Sequence, residues 1–388
     1  MPERIYLDQA ATSWPKPECV YQAVDHYQRT LGVAAGRGGY ADALEVARRV
    51  ERTRAAVARL IGAENPRHVI FAFNGTDALN MAIQGALGAG GHVVTTVVEH
   101  NSVLRPLRAL EQTGRVAVTR VRCDEQGVVA AEDIRQAIRR ETRLIALTHA
   151  SNVTGALQPA AEVGRIARQA DVLFLLDAAQ TAGEVHIDVQ RLQVDLLAMP
   201  GHKGLLGPLG TGVLYVRPGV EHRVASFRQG GTGTVSEDDR QPATLPDKFE
   251  SGNLNVPGIL GLGAAVEWLA ARGIEPLRAE TIALTARLLS RLREMPGVTV
   301  PGPRGADERV GLVSFTVADV DAQEMAAILD TSFGIQVRAG LHCAPLMHGA
   351  LGTLSSGGTV RLSYGPFNTA VEIDRAAAAI DAIVEQMR

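Results

Sequence analysis

The sequence predicts an α/β fold: a mostly parallel sheet covered by helices on both faces, with a smaller α+β part at the C-terminal end. Three observations predict it. Short apolar runs alternate with helical patterns from about residue 44 to residue 176. Those runs are continuous rather than alternating, as expected of strands buried on both faces. After about residue 256 the strict alternation stops and long helical stretches take over.

The elements follow in order. Leu44, Ala47, Val50, Val57 and Ile61 recur at helical spacing, Gly62 stands where a helix-ending glycine belongs, and Pro66 follows. Strands are expected at 68–73, 92–98, 115–121, 144–148 and 172–176, separated by helices at 77–88, 102–113, 131–140 and 159–169. Their connections should be right-handed crossovers. The stretch 226–256, rich in Gly, Ser, Thr and Pro, reads as a long ordered loop, and such loops are often functional. Residues 259–295 read as helix with a break near Gly273 and Pro276. Strands at 310–317, 335–338 and 359–364 surround a helix opening at Asp321, and a last helix opens on the capping pair Thr369 and Glu372. The domain boundary is expected near Pro257–Gly258.

Composition removes several function classes. The chain has 388 residues, with 39 Lys plus Arg against 42 Asp plus Glu, a formal net charge of −3. That balance and an aromatic content of 4% argue against a nucleic-acid surface. Three cysteines, Cys19, Cys123 and Cys343, are too few for a disulfide framework or a four-cysteine zinc site, so no metal is expected. No run approaches the roughly 20 apolar residues of a membrane span. The start of the chain lacks the apolar core of a signal peptide. The expectation is a cytoplasmic enzyme.

Six local patterns carry chemistry. Lys203 lies in DLLAMPGHKGLLGPLGTG (195–212), among glycines and leucines with no acidic neighbour in sequence. A desolvated lysine has a lowered pKa and attacks carbonyls; the plain alternative is an incidental lysine in a glycine-rich turn. Asp177 ends the apolar run LFLLD, the place where open α/β sheets hold ligand groups, although a turn aspartate would look the same; Gln180 follows within reach. Asn74-Gly75-Thr76-Asp77 combines a glycine and a hydroxyl at a helix start, a possible anion cradle or an ordinary cap. His100 follows a strand and offers a stacking ring, and Cys343 beside His342 offers an activated thiol or an inert small hydrophobe. Arg361, inside an apolar strand, suits a carboxylate or a structural ion pair. A lysine amine, a carboxylate, an anion cradle and a stacking ring in one α/β unit are the parts of a pyridoxal phosphate site.

With those residues in place, the chain resembles the class V aminotransferase superfamily and, within it, the cysteine desulfurases and selenocysteine lyases. The resemblance runs nearly end to end: IYLDQAATSWPKP (5–17), EHNS (99–102), SNVTG (151–155), DAAQ (177–180), GHKGLLGP (201–208), SFRQGGTGTVSE (226–237), LPDKFESGNLNVPGI (245–259) and RAGLHCAP (338–345). It implies a fold-type-I pyridoxal phosphate enzyme: a seven-stranded-type, mainly parallel sheet in a large domain at 16–257, with a small domain formed by 1–15 and 258–388. It further implies that Lys203 binds the cofactor through its amine and shuttles a proton. Asp177 would pair with the ring nitrogen, Gln180 with the ring hydroxyl, and His100 would stack on the ring. Thr76, the Gly75 amide and His202 would hold the phosphate, with Asn253 reaching the phosphate of a neighbouring subunit. Asn152 and Arg361 would orient the substrate carboxylate, and Cys343 would take the substrate sulfur as a persulfide, leaving alanine.

The resemblance also implies a homodimer acting on L-cysteine. The compact loop around Cys343 is similar to the type that hands its sulfur to a separate acceptor protein. Pro200, Asn253, the Asn74-Gly75 pair, Gly36 and Tyr40 depart from residues common among relatives. The alternatives are a selenocysteine lyase acting on L-selenocysteine, another class V lyase or aminotransferase, and a non-catalytic sulfur carrier or scaffold.

Overall fold

A computed structural model describes residues 4–36, 38–235 and 237–387. Arg37, which follows Gly36, Ser236 of the 226–237 motif and the ends of the expected domain limits, 1–3 and 388, lie outside the described residues. The strands are β1 (Ile5–Tyr6), β2 (Val69–Ala72), β3 (Gly91–Thr96), β4 (Val116–Val121), β5 (Thr142–Thr148), β6 (Leu173–Asp177) and β7 (Leu196–Pro200), then β8 (Gly212–Val216), β9 (Val298–Thr299), β10 (Leu312–Val317), β11 (Ile335–Gln336), β12 (Arg338–Gly340) and β13 (Thr359–Ser363). The α-helices are α1 (Glu18–His26), α2 (Ala41–Leu60), α3 (Gly75–Leu87), α4 (Asn101–Gln112), α5 (Ala131–Ala137) and α6 (Ala160–Gln169), then α7 (Val256–Arg272), α8 (Ile274–Glu294), α9 (Ala322–Phe333), α10 (Pro345–Leu351) and α11 (Ala370–Gln386).

Seven strands form the large sheet in the order β2-β8-β7-β6-β5-β3-β4. Only β8 runs antiparallel to its neighbours. Alternate residues of each strand enter two different cores, which explains the continuous apolar runs. Ile145, Leu147, Phe174, Leu176, Leu197 and Met199 face the core beneath α2, α6 and α7. Leu144, Ala146, Leu173, Leu175, Leu196 and Ala198 face the core beneath α3 and α4. The β7–β8 hairpin was the part of the sheet hidden in the sequence, because the glycine-rich 201–212 turn masks the strands on either side.

A four-stranded antiparallel sheet, β12-β13-β10-β9, forms the second layer system with α8, α9 and α11. The expected boundary at Pro257–Gly258 falls in the first turn of α7, which packs on α1 and α2; Leu277 of α8 still joins that core, and Leu288, Leu289 and Leu292 enter the second one. The N-terminal segment joins the smaller sheet region, where β1 pairs in parallel with β11 and Ile5 and Leu7 are buried. Local end signals form as expected. Gly62, at φ 68°, ends α2 with Ala63 N–H donating to Ala58 O and Gly62 N–H to Arg59 O. Thr369 and Glu372 make both halves of a capping box on α11. The helix expected at 131–140 stops early, because Ile138 turns to extended backbone.

Candidate active site

The parallel strands bring their carboxyl ends to one edge of the sheet, and the expected site residues of the large sheet follow them, whereas Arg361 and Cys343 come from the β12–β13 region and Asn253 from the loop before α7. After β2 comes Gly75, after β3 His100, after β5 Asn152, at the end of β6 Asp177, and after β7 His202 and Lys203. This is the crevice where open α/β sheets bind ligands. A cavity of about 230 Å³ lies there, and Gly75, Thr76, His100, Asn152, Asp177, Gln180, His202, Lys203 and Arg361 all line it.

The glycines around Lys203 fix its turn. A side chain on Gly204 would meet the carbonyl of Ala182, and one on Gly183, at φ 83°, would meet the carbonyl of Gly204. The turn carrying Lys203 therefore lies directly on the turn that follows Asp177. From the other side the N-terminal segment grips the peptide before Lys203: Ser13 N–H donates to His202 O at 2.9 Å, and the Ser13 and Thr12 hydroxyls donate to it at 3.0 and 3.2 Å. Burial lowers the Lys203 pKa to about 8, partly opposed by Asp177 and reinforced by Arg361 and Arg338. Burial raises the Asp177 pKa, while the Ala179 N–H donating to Oδ1 at 2.9 Å and the charge of Lys203 pull the other way.

His100 caps α4 with Nδ1 accepting from Ser102 N–H at 3.0 Å. Burial and then the nearby cations Lys203, Arg338, Arg361 and Arg105 lower its pKa to about 4. The ring is neutral at pH 7, and because Nδ1 accepts, its proton sits on Nε2. Ser102, quoted in the sequence motif but given no role there, also shares a 2.7 Å hydrogen bond with Thr76 Oγ1. It ties the His100 helix start to the α3 helix start.

The residues present fit the phosphorylated, ring-bearing cofactor that the motifs imply. At the start of α3, Asn74 Oδ1 takes the Asp77 N–H and Asn74 O takes the Ala78 N–H. The Gly75 and Thr76 amides have no acceptor within their own helix and suit an anion. A Cβ on Gly75 would lie at 3.2 Å from the Pro200 ring, tighter than an ordinary contact, so glycine keeps this cradle open without displacing Pro200. His202 Nδ1 is buried without a hydrogen-bond partner. Glu99 adds a buried carboxyl behind the crevice. Its Oε1 accepts from Thr96 Oγ1 at 2.8 Å and Thr148 N–H at 3.1 Å, and burial raises its pKa to about 8.

Arg361 is 1% exposed; Nη1 donates to Asn152 O at 3.1 Å, Nη2 donates to Asp8 Oδ1 at 2.8 Å, and Nε has no acceptor among the described residues. Arg338, which the sequence reading left without a role, stands directly opposite Arg361 across the β12–β13 pair and lines the same cavity. Only strand register reveals this pairing. The Asn152 side chain turns away from Arg361, with Nδ2 donating to His342 O at 2.5 Å.

Cys343 lies beyond the cavity wall, half-buried, and accepts a hydrogen bond from Arg338 Nη2 at 3.3 Å. His342 and Cys343 take φ of 47° and 61°, a left-handed conformation that non-glycine residues seldom adopt and that often marks functional segments. Three anchors hold it. Cys343 O accepts from Asn101 N–H at 2.7 Å, His342 O accepts from Asn152, and the His342 ring contacts Thr359 Oγ1 at 2.9 Å. Cys19 and Cys123 pack against the large core, and burial raises both pKa values. Asn253, like Cys343, does not line the cavity; it lies in a separate depression with Phe73, Arg228 and Ser251. Among the described residues no cluster of three or more metal-ligating side chains occurs, and no described helix is long and apolar enough to cross a membrane.

The comparisons with known proteins agree with this geometry. The family model for aminotransferase class V matches residues 5–376. A probable cysteine desulfurase of Methanothermobacter thermautotrophicus is 36% identical, the match covering 98% of this chain and 95% of that protein. The apo structure of a cysteine desulfurase from Thermococcus onnurineus superposes with a TM-score of 0.92 at 31% identity, over 99% of this chain and 95% of that one. The cysteine desulfurase CsdA of Escherichia coli gives 0.88 at 30% identity, over 98% and 94%. A chain that carries this crevice, these motifs and these likenesses along nearly its whole length belongs to the aminotransferase class V family and, within it, to the cysteine desulfurases.

Proposed function

We propose that the chain is a pyridoxal phosphate-dependent cysteine desulfurase that converts L-cysteine to L-alanine and keeps the sulfur on Cys343 as a persulfide. The observation that carries this reading is Cys343 bonded to Arg338, whose side chain lines the cavity that also holds Lys203 and Asp177. Bound there, the cofactor supplies an electron sink that loosens the substrate's α-C–H bond and then its C–S bond. Lys203 holds the cofactor through its amine and moves the α-proton; a pKa near 8 suits both tasks. Asp177, buried at the strand end, pairs with the protonated ring nitrogen. The neutral His100 ring stacks on the cofactor without adding charge. Gly75, Thr76 and His202 hold the phosphate, and Gln180 holds the ring hydroxyl.

Arg361 orients the substrate carboxylate through its open Nε. Asn152 supports this from behind, through its carbonyl to Arg361 and its amide to the Cys343 loop. The Cys343 sulfur, as thiolate beside the Arg338 guanidinium, attacks the substrate sulfur. The new S–S bond forms as the C–S bond breaks, the bonding pair stays with carbon, and a proton completes alanine. The protein functions in the cytoplasm as a homodimer in which Asn253 reaches the partner's site. Its loop passes sulfur to a separate acceptor protein.

The test is alanine and sulfide production from L-cysteine with a reductant present. Wild type should form both in equal amounts, and Cys343→Ser should lose sulfide release. Full sulfide release by Cys343→Ser, or cofactor absorbance retained covalently by Lys203→Ala, would end this reading.

A further inference from the structure

The carboxylate of Asp8 is tied to Arg361, a side chain that lines the cavity. Its backbone is fixed on both sides: Gln9 N–H donates to Ser363 O at 3.2 Å, Ser363 N–H donates to Leu7 O at 2.8 Å, and Asp8 O accepts from Ala11 N–H at 3.0 Å. The side chain thus reaches Arg361 from a preset position and occupies Nη2 at 2.8 Å. Two guanidiniums, Arg361 and Arg338, face each other across the strand pair, a destabilising arrangement of like charges. One carboxylate answers them, held on Arg361 Nη2, and the buried Nε of Arg361 is left without an acceptor among the described residues.

We propose that Asp8 is a selectivity residue: it makes the Arg361 subsite reject carboxylates that carry no amine and accept amino acids. The inference rests on the reading of Arg361 as the carboxylate subsite given above. A ligand carboxylate arriving at Arg361 must share the guanidinium with Asp8 or displace it, and either way it meets a like charge at short range in a poorly solvated place. An amino acid brings its own cation toward the Lys203 end of the cavity. The charge of Asp8 is felt there too, where it favours the protonated form of Lys203. That attraction offsets the repulsion. A simple carboxylate has nothing to offset it. Discrimination by an unfavourable contact of this kind is a common source of specificity.

The experiment is calorimetric titration of the cofactor-loaded protein with propionate and with L-alanine at constant ionic strength. Asp8→Asn keeps an oxygen acceptor for Arg361 and removes the charge. It should lower the propionate dissociation constant at least about tenfold, a free-energy change of about 1.4 kcal/mol, while changing that of L-alanine less than threefold. Asp8→Glu, which restores the charge, should return propionate to its wild-type weakness. Propionate binding unchanged in Asp8→Asn, or propionate and L-alanine tightened alike, overturns the proposal. Arg361→Lys separates the two readings: if it leaves propionate and L-alanine binding as in wild type, Arg361 is not the carboxylate subsite and the functional reading fails first.

Discussion

Glu250→Ala should destabilise the protein more than any other single change in the 226–255 loop. Glu250 is 8% exposed and Arg54 1%. The carboxylate takes Arg54 Nη1 at 2.7 Å, Arg54 Nη2 at 3.0 Å and the Phe71 N–H of strand β2 at 2.6 Å. Truncation leaves the buried guanidinium with only Glu51 Oε1 on Nε and the Val69 carbonyl on Nη1, and leaves the Phe71 amide without its acceptor. Removing one partner of a buried ion pair costs about 3–5 kcal/mol, less what the remaining Glu51 contact retains, and an orphaned buried donor adds about 1–3 kcal/mol. With a urea slope of about 3 kcal/mol/M, the midpoint should fall by roughly 1 M or more. Glu250→Gln keeps an acceptor for Phe71 and loses only the charge, so its fall should be clearly smaller. The assay is urea unfolding followed by tryptophan fluorescence, with limited proteolysis scoring cuts in 226–255. A loss under about 1 kcal/mol for Glu250→Ala, or equal losses for Ala and Gln, would refute the argument that this pair anchors the loop.

Other outcomes follow from the same site. Lys203→Met should stabilise the cofactor-free protein at pH 7, because the folded state holds this amine at a depressed pKa. The folded protein binds fewer protons than the unfolded chain between about pH 8 and the ordinary lysine value, so wild-type stability rises through that window and the advantage of Lys203→Met shrinks there, as thermal unfolding across pH 6.5–10 would show. His100 stays neutral down to about pH 4. The acid limb of kcat/KM between pH 5 and 7 should therefore be the same in His100→Gln as in wild type, although the rate falls. Arg361→Lys should lower kcat/KM for L-cysteine about 100-fold or more, because a point charge replaces a buried fork that makes two directional bonds; steady-state kinetics read this.

Much of this was legible in the sequence because the signals were local. Asp177 at the end of LFLLD and Lys203 between glycines each carry their meaning within ten residues, and continuous apolar runs announced strands buried on both faces. The alternation of Leu175 and Leu176 into opposite cores is the reason such runs exist. What stayed hidden depends on pairing between distant segments. Asp8 meets Arg361 across 353 positions. Arg338 is opposite Arg361 only because of the β12–β13 register. The Arg54–Glu250 pair that pins an otherwise irregular loop spans 196 positions. The anchoring of the Cys343 loop by Asn101 and Asn152 likewise joins three separate segments, and no periodicity or composition records it.

The central claim is that Cys343 receives sulfur from a substrate held over Lys203. Intact-protein and peptide mass spectrometry after brief incubation of the cofactor-loaded protein with L-cysteine tests it most directly. The account predicts a gain of one sulfur atom, about 32 Da, on the peptide containing Cys343. The gain should be absent from the peptides containing Cys19 and Cys123 and absent in Lys203→Ala. Alanine formed with no added sulfur on Cys343, or sulfur found equally on all three cysteines, would contradict it.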